Sequence, residues 1–308
     1  MSDAKPHIPV MMGEVLESLN PQDGDIIIDG TFGAGGYSTA ILNHANCHVI
    51  GFDRDKTAHD AACDLLNDYN PRLKLVLDQF GNVANHVEPQ SIDGFVLDIG
   101  VSSMQLDRAE RGFSFMRDGP LDMRMGEGET AAELIERLSE EDLANIIYKY
   151  GEERKSRLIA KVIKESLPIQ TTLELADIIA KTIPKKRGDK IHPATRTFQA
   201  LRIAVNDELG ELERALDASL RILKSGGRLV VVTFHSLEDR IVKSFLKKYA
   251  QPRISKNKYA TIKEDSSYPF TLIHRKAVQV MDTEAKINPR SRSAKLRSAI
   301  RTEVEIPS

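Results

Sequence analysis

A chain of 308 residues, 41% hydrophobic and 29% charged, has room for one large or two smaller cored domains. Its formal net charge of −2 does not mark a general nucleic-acid binder. Cys47 and Cys63 lack disulfide, redox or metal-ligand spacing, and no signal peptide or membrane-length apolar run is present, so a cytoplasmic protein without a membrane or metal partner is expected.

In chain order, Asp25 to Asp29 is a short apolar run ending at glycines, the pattern of a buried parallel strand. A helix begins near Tyr37. His48 to Asp53 reads as a second strand, Lys56 to Tyr69 as a helix, Leu73 to Leu77 as a third strand and Gly94 to Asp98 as a fourth. Alternating strands and helices predict a parallel α/β sheet with right-handed crossovers. The next strand, Arg228 to Thr233, follows only after about 130 residues, far more than one crossover needs. The gap has helical periodicity. Leu143, Ile146, Ile147 and Tyr150 share a face, as do Leu158, Val162 and Ile163, and then Leu175, Ile178, Ile179 and Ile183 before Pro184. A helical domain, 105–206, is therefore expected inside a sheet domain made of 1–104 and 207–308. Asp207 to Leu223 reads as an amphipathic helix closed by Gly226 and Gly227. Leu237 to Tyr249 reads as a helix, Arg253 to Tyr268 as a polar loop, and Phe270 to Val280 and Lys295 to Val304 as strands.

The sharpest local signal is Asp29-Gly-Thr-Phe-Gly33-Ala-Gly35-Gly36, where the first strand meets the first helix. Glycines there permit left-handed turns and close approach of a ligand to the backbone. In an open α/β sheet, ligands bind beyond the carboxyl ends of the strands. Asp53 ends the second strand about twenty residues later, the spacing of a carboxylate that accepts from ribose hydroxyls. The turn lacks the G-x-G-x-x-G of dinucleotide sites and the Gly-Lys-Ser/Thr of a P-loop. Asp29 would repel a pyrophosphate but suits the ammonium or sulfonium end of S-adenosylmethionine. Phe80, after the third strand, is placed to cover an adenine face, and Asp98 ends the fourth strand at the topological switch point.

Two basic runs late in the chain suit phosphates. One holds Lys247, Lys248, Arg253, Lys256 and Lys258. The other holds Lys286, Arg290, Arg292, Lys295, Arg297 and Arg301 with no acidic residue between them.

Several long blocks resemble the RsmH (MraW) methyltransferase family. They are His7-Ile-Pro-Val-Met11, the Asp29–Gly36 turn, Asp98 to Asp107, Arg111 to Met125, His192 to Ile203, Thr233 to Lys243 and Asn288 to Ser293. The resemblance covers nearly the whole chain. It implies a class I (Rossmann-like) methyltransferase sheet with an inserted, mostly helical domain that serves the RNA substrate. It implies S-adenosylmethionine-dependent methylation of the N4 amine of a cytidine in 16S ribosomal RNA near the decoding centre. Cofactor contacts carry over to Gly35, Gly36, Tyr37, Asp53, Phe80, Asp98 and Gln105, and the glycine turn adds Gly33 as a cofactor-binding candidate. The family usually has His at position 37 and Pro at position 104, where this chain has Tyr37 and Met104. A largely backbone contact at 37 would tolerate the change.

A cytosine amine is a poor nucleophile, so the site should accept hydrogen bonds from it and hold it in line with the methyl group. DNA amino-methyltransferases use a loop after the fourth strand for this. Here that loop runs from Asp98 to Ser102 and Ser103, making Asp98 and Ser102 catalytic candidates. His235, at the end of the fifth strand, is a third catalytic candidate, expected to line the base pocket. His192, Arg196 and His7, with Arg290 and Arg292, are candidates for gripping RNA. Arg111 and Arg124 could do likewise or pair with Asp107, Asp118 and Asp122. The expected partner is 16S ribosomal RNA or the small subunit, with oligomeric state, homodimer included, left open. The competing readings are a non-catalytic cofactor-binding assembly factor and an amino-methyltransferase acting on another nucleic acid.

Overall fold

The computed structural model of the chain describes residues 9–101, 103–184, 188, 191–251 and 268–304. It divides into two compact units. One runs to Gly100 and resumes at Leu209, and the other is Val101–Glu208.

The first unit is built on a nine-stranded sheet of β1 (Ile26–Asp29), β2 (His48–Asp53), β3 (Leu73–Leu77), β4 (Ile92–Asp98), β5 (Leu223–Thr233), β6 (Ala250–Gln251), β7 (Phe270–Leu272), β8 (Val278–Gln279) and β9 (Lys295–Arg301). The order is β3-β2-β1-β4-β5-β9-β7-β6, with β8 also pairing β9. β1 to β5 are parallel, and β9 enters antiparallel against β5. This is the class I, Rossmann-like sheet expected, with its switch point between β1 and β4.

The strand side chains alternate between two cores, as period-2 geometry requires. Ile28, Phe95, Leu97, Leu229 and Val231 enter one, and Ile27, Val96, Val230 and Val232 the other. Helices α1 (Met12–Leu19) and α2 (Gly36–His44) cover the second core through Val15, Leu19 and Ile41. The segment expected as one helix from Lys56 to Tyr69 is two, α3 (Lys56–Ala61) and α4 (Cys63–Asp68), interrupted at Ala62. A 3-10 turn, Phe80–Asn85, follows β3.

The second unit contains α5 (Ser103–Asp107), α6 (Ala131–Arg137), α7 (Glu140–Gly151), α8 (Ser156–Glu165), α9 (Thr172–Thr182) and α10 (Thr195–Asn206) around its own apolar core. Thr130 and Thr171 start α6 and α9 with capping boxes closed by Glu133 and Glu174. Lys164 Nζ donates to the carbonyls of Ile135, Glu136 and Leu138 at the end of α6. The buried face of α8 is one step from the expected one. Ile159, Ala160 and Ile163 are inside while Leu158 is exposed, because neighbouring α7 and α9 fix which face the core takes.

The chain returns through α11 (Glu208–Ile222), which delivers Leu212, Ala215 and Leu216 to the first core together with Val242 and Phe245 of α12 (Ser236–Tyr249). β5 starts directly after α11, five residues earlier than expected, so Gly226 and Gly227 lie within the strand. A short α13 (Asp282–Ile287) and a 3-10 turn, Pro289–Ser293, precede β9. The expected strand from Phe270 to Val280 is two short strands, and β9 ends at Arg301, where the chain turns. The expected loop at 253–268 lies, except for Tyr268, outside the described residues.

Candidate cofactor and methyl-transfer site

The glycine turn connects β1 to α2 with Gly33 at φ 55° and Gly35 at φ 76°, left-handed conformations that a side chain resists. At Gly36 the constraint is space, since an added Cβ would lie 2.3 Å from Pro9 Cγ. The turn is bound from below by Asp29. Its Oδ2 accepts from Ser38 Oγ at 2.7 Å and its Oδ1 from Thr31 N at 3.2 Å. Asp29 is fully buried, and that burial pushes its carboxyl up to about 6 against the pull of these donors.

Asp53, at the end of β2, closes on the turn. Its Oδ2 accepts from Gly33 N at 2.8 Å and its Oδ1 from Asp55 N at 2.8 Å. Burial raises this carboxyl too. Asp98, at the end of β4, is tied in from the other side, where its N–H donates to Thr31 Oγ1 at 2.7 Å. Its carboxyl is pushed well up by burial and then by Asp29 and Glu238. Oδ1 of Asp98 is buried with no hydrogen-bond partner among the described residues. Three carboxyl groups thus surround one glycine turn. That field suits a sulfonium and ammonium ligand and opposes a pyrophosphate, so the residues present fit S-adenosylmethionine.

Tyr37 points away from the turn. Its ring is buried in the second core and its hydroxyl donates to the Val10 carbonyl, leaving only the backbone at the start of α2 to face a ligand. Burial and the charges of Asp98 and Asp29 hold the phenol protonated. Phe80 opens the 3-10 turn after β3 and packs half-buried against the first core. Its Cβ stands only 3.2 Å from where a Gly30 Cβ would be, so the β3 loop abuts the glycine turn directly.

His235 is the N-cap of α12. Its Nδ1 accepts from Glu238 N at 3.4 Å, while its Nε2 lies 2.7 Å from Glu238 Oε1 at an angle that makes no hydrogen bond. Glu238 Oε2 in turn accepts from Phe234 N and His235 N. Both ring nitrogens therefore face the helix's own cap.

Gln105 is buried in α5 of the helical unit. In that unit too, His192 packs on Phe115 with ring centroids 4.7 Å apart, and its Nδ1 accepts from Ala194 N. Arg196 is exposed and pairs with Glu153 at 3.5 Å. Arg124 grips Asp122 through two 2.8 Å bonds, and Arg111 donates to the Arg124 carbonyl. His7 and Ser102 lie outside the described residues. Arg290 and Arg292 sit in the 3-10 turn before β9, with Arg292 exposed.

The basic run ending there is not one stripe. Lys295 and Arg297 pair with Asp239, and Arg301 is buried, donating to the carbonyls of Leu220, Pro269, Thr302 and Val304. Thr31, Ser38, Glu211 and Glu238 were not singled out from sequence. The His-x-x-Glu spacing of a helix cap was the available sign for Glu238. Among the described residues, no helix is long and apolar enough to cross a membrane.

The MraW methylase family model matches residues 4–302. The Ribosomal RNA small subunit methyltransferase H of Caulobacter vibrioides is 52% identical over 308 residues, covering 98% of each chain. Proteins of the same name from Hyphomonas neptunium and Rhodopseudomonas palustris are 51% and 54% identical. They cover 99% and 96% of this chain and 91% of their own in both cases. A crystal structure of an rRNA methylase from Streptococcus thermophilus aligns over 95% of this chain and 94% of its own. Its TM-score is 0.40 at 14% identity, too distant to bear on function.

Proposed function

The chain belongs to the MraW methylase family, and on that premise we propose that it methylates the exocyclic N4 amine of a cytidine in 16S ribosomal RNA near the decoding centre, in the cytoplasm. It is an S-adenosylmethionine-dependent methyltransferase, and its relatives carry the name of a small-subunit ribosomal RNA methyltransferase. S-adenosylmethionine supplies an electrophilic methyl group when bound. The Gly33–Gly36 turn, Asp53 and the Phe80 loop are the residues that would hold it.

The observation that carries the chemistry is Asp98, at the end of β4, whose buried Oδ1 has no hydrogen-bond partner among the described residues. An oxygen in that position accepts from the target amine and orients its nitrogen in line with the sulfur–methyl bond. With S-adenosylmethionine bound, transfer of its methyl group to that nitrogen would leave the methylated amine with one proton to lose. A carboxylate whose proton affinity is raised by burial is suited to receive it. Reaching a buried methyl group requires the base to leave its stack, at a cost of a few kcal/mol. Val101–Glu208 is the proposed RNA-substrate unit, with His192 and Arg196 among its contacts.

Mass mapping of nucleosides in small-subunit ribosomal RNA from cells with and without the protein tests the reading. An N4-methylated cytidine lost on deletion and restored by the wild type, but not by Asp98→Ala, is expected. Tight cofactor and RNA binding with no methylated nucleoside would instead make the protein an assembly factor. Full turnover by Asp98→Ala would move the accepting role elsewhere, and full turnover by Asp98→Asn, whose amide oxygen still accepts, would remove only the proton-receiving role.

A further inference from the structure

Glu211 on α11 is a carboxylate buried to 3% side-chain exposure. Its Oε2 lies 3.3 Å from Arg54 Nη1. Arg54 directly follows Asp53, whose two oxygens hold Gly33 and Asp55. On its other side Glu211 meets the β3 loop. A Cβ on Gly81 would stand 3.1 Å from both Glu211 Cγ and the Glu211 carbonyl oxygen, and 3.2 Å from Arg214 Nε. Glycine at 81 therefore lets the 3-10 turn lie against α11, and Phe80 is its first residue. Burial pushes the carboxyl up to about 7, against Arg54, Arg214 and the N–H groups of Phe80 and Gly81, all of which pull it down. Oε1 is buried with no hydrogen-bond partner among the described residues. A charge kept there at such cost has no use to a core that Leu212, Ala215 and Leu216 already fill.

We infer that Glu211 is a positioning residue for the adenosine half of the cofactor site. Its carboxylate holds the ribose-side segment at Asp53–Asp55 through Arg54, while its stem packs against the adenine-side segment at Phe80–Gly81. The inference rests on the cofactor reading of Asp53 and Phe80. It assigns to α11, about 150 residues further along the chain, the job of setting the gap between those two segments. Nothing in Glu211 touches the reacting atoms, so its effect is on binding and not on the methyl-transfer step.

The test is titration calorimetry of the full chain with S-adenosylhomocysteine, together with donor KM, kcat and the urea midpoint. Glu211→Gln keeps shape and removes the buried charge. It is expected to hold or raise the unfolding midpoint while weakening S-adenosylhomocysteine binding on the order of tenfold. Donor KM should rise with kcat nearly unchanged. Arg54→Met cuts the tie from the other side, and the double variant should bind no worse than either single one. Asp53→Ala serves as the control for the site itself. Wild-type affinity in Glu211→Gln beside a weakened Asp53→Ala overturns the positioning role, as does a fall in kcat without a change in KM. Wild-type affinity in Asp53→Ala as well overturns the site assignment, and the inference with it. Should Glu211→Gln not fold, Arg54→Met decides alone by the same criteria.

Discussion

Asp29→Asn should make this protein more stable, by an amount that depends on pH. The Asp29 carboxyl rises from 3.8 to about 6 on folding because it is fully buried under the glycine turn. The folded state thus holds this proton more tightly than the unfolded chain. Folding loses free energy as pH climbs from about 4 to about 6 and regains none above that. Two pH units correspond to about 3 kcal/mol. Asparagine mimics the protonated acid. Its oxygen can accept from Thr31 N and its amide can donate to the freely rotating Ser38 hydroxyl, so neither bond need be lost. Urea unfolding at pH 4, 5, 6 and 7.5 measures the difference. The variant should match the wild type near pH 4 and exceed it by about 2–3 kcal/mol at pH 7.5, a midpoint shift of about 1 M. A variant less stable at pH 7.5, or one whose advantage does not change with pH, would refute the argument that desolvation dominates at this carboxyl.

Gly36→Ala forces Pro9 off the start of α2; the expected result is weaker S-adenosylhomocysteine binding with the unfolding midpoint lowered by less than in a core truncation. Thr171→Ala opens the capping box of α9 and should cost the helical unit about 1 kcal/mol, read from its urea transition. A donor bearing positive charge lowers the proton affinity of Asp29 and Asp98, so binding S-adenosylmethionine at pH 6 should release protons. Calorimetry in two buffers of different ionisation enthalpy measures this, with a smaller release expected for S-adenosylhomocysteine. Lys286 and Arg292 are exposed, and replacing both with Gln should flatten the log affinity–log salt slope for RNA by about 1.5. An unchanged slope would remove them from the interface.

The inner parallel strands were legible because they are largely buried and read as apolar runs stopped by Asp or Gly, whereas β3, at the sheet edge, carries the exposed Lys74 and Leu77. The boundaries of β2 and β3 agree with those read from the pattern. The spacing marked Asp53 as a strand-end acid facing a ribose, but its bonds to Gly33 and Asp55 were not read from it. Helix α1 was not anticipated. Its eight residues are too short a window for a helical stripe to stand out, and its buried face packs through Val15 and Leu19. The face of α8 was misjudged because a leucine beside an isoleucine offers two equally apolar stripes, and tertiary neighbours choose between them. The run from Lys286 to Arg301 looked uniform because charge shows in sequence whereas its partners do not. Asp239 claims two members and four backbone carbonyls claim Arg301. Glu211 was beyond reach for the same reason, since nothing local links residue 54 or 81 to residue 211.

β9 inserts antiparallel between β5 and β7, so the strand that seals the inner ladder of the sheet is the last of its described strands to be synthesised. Until Lys295–Arg301 emerges from the ribosome, β5 presents a bare edge bearing Leu229, Val230, Val231 and Val232. Such an edge invites pairing with another nascent chain. A premature stop before residue 295 should therefore yield aggregate, not a weakened enzyme, however complete the cofactor pocket already is.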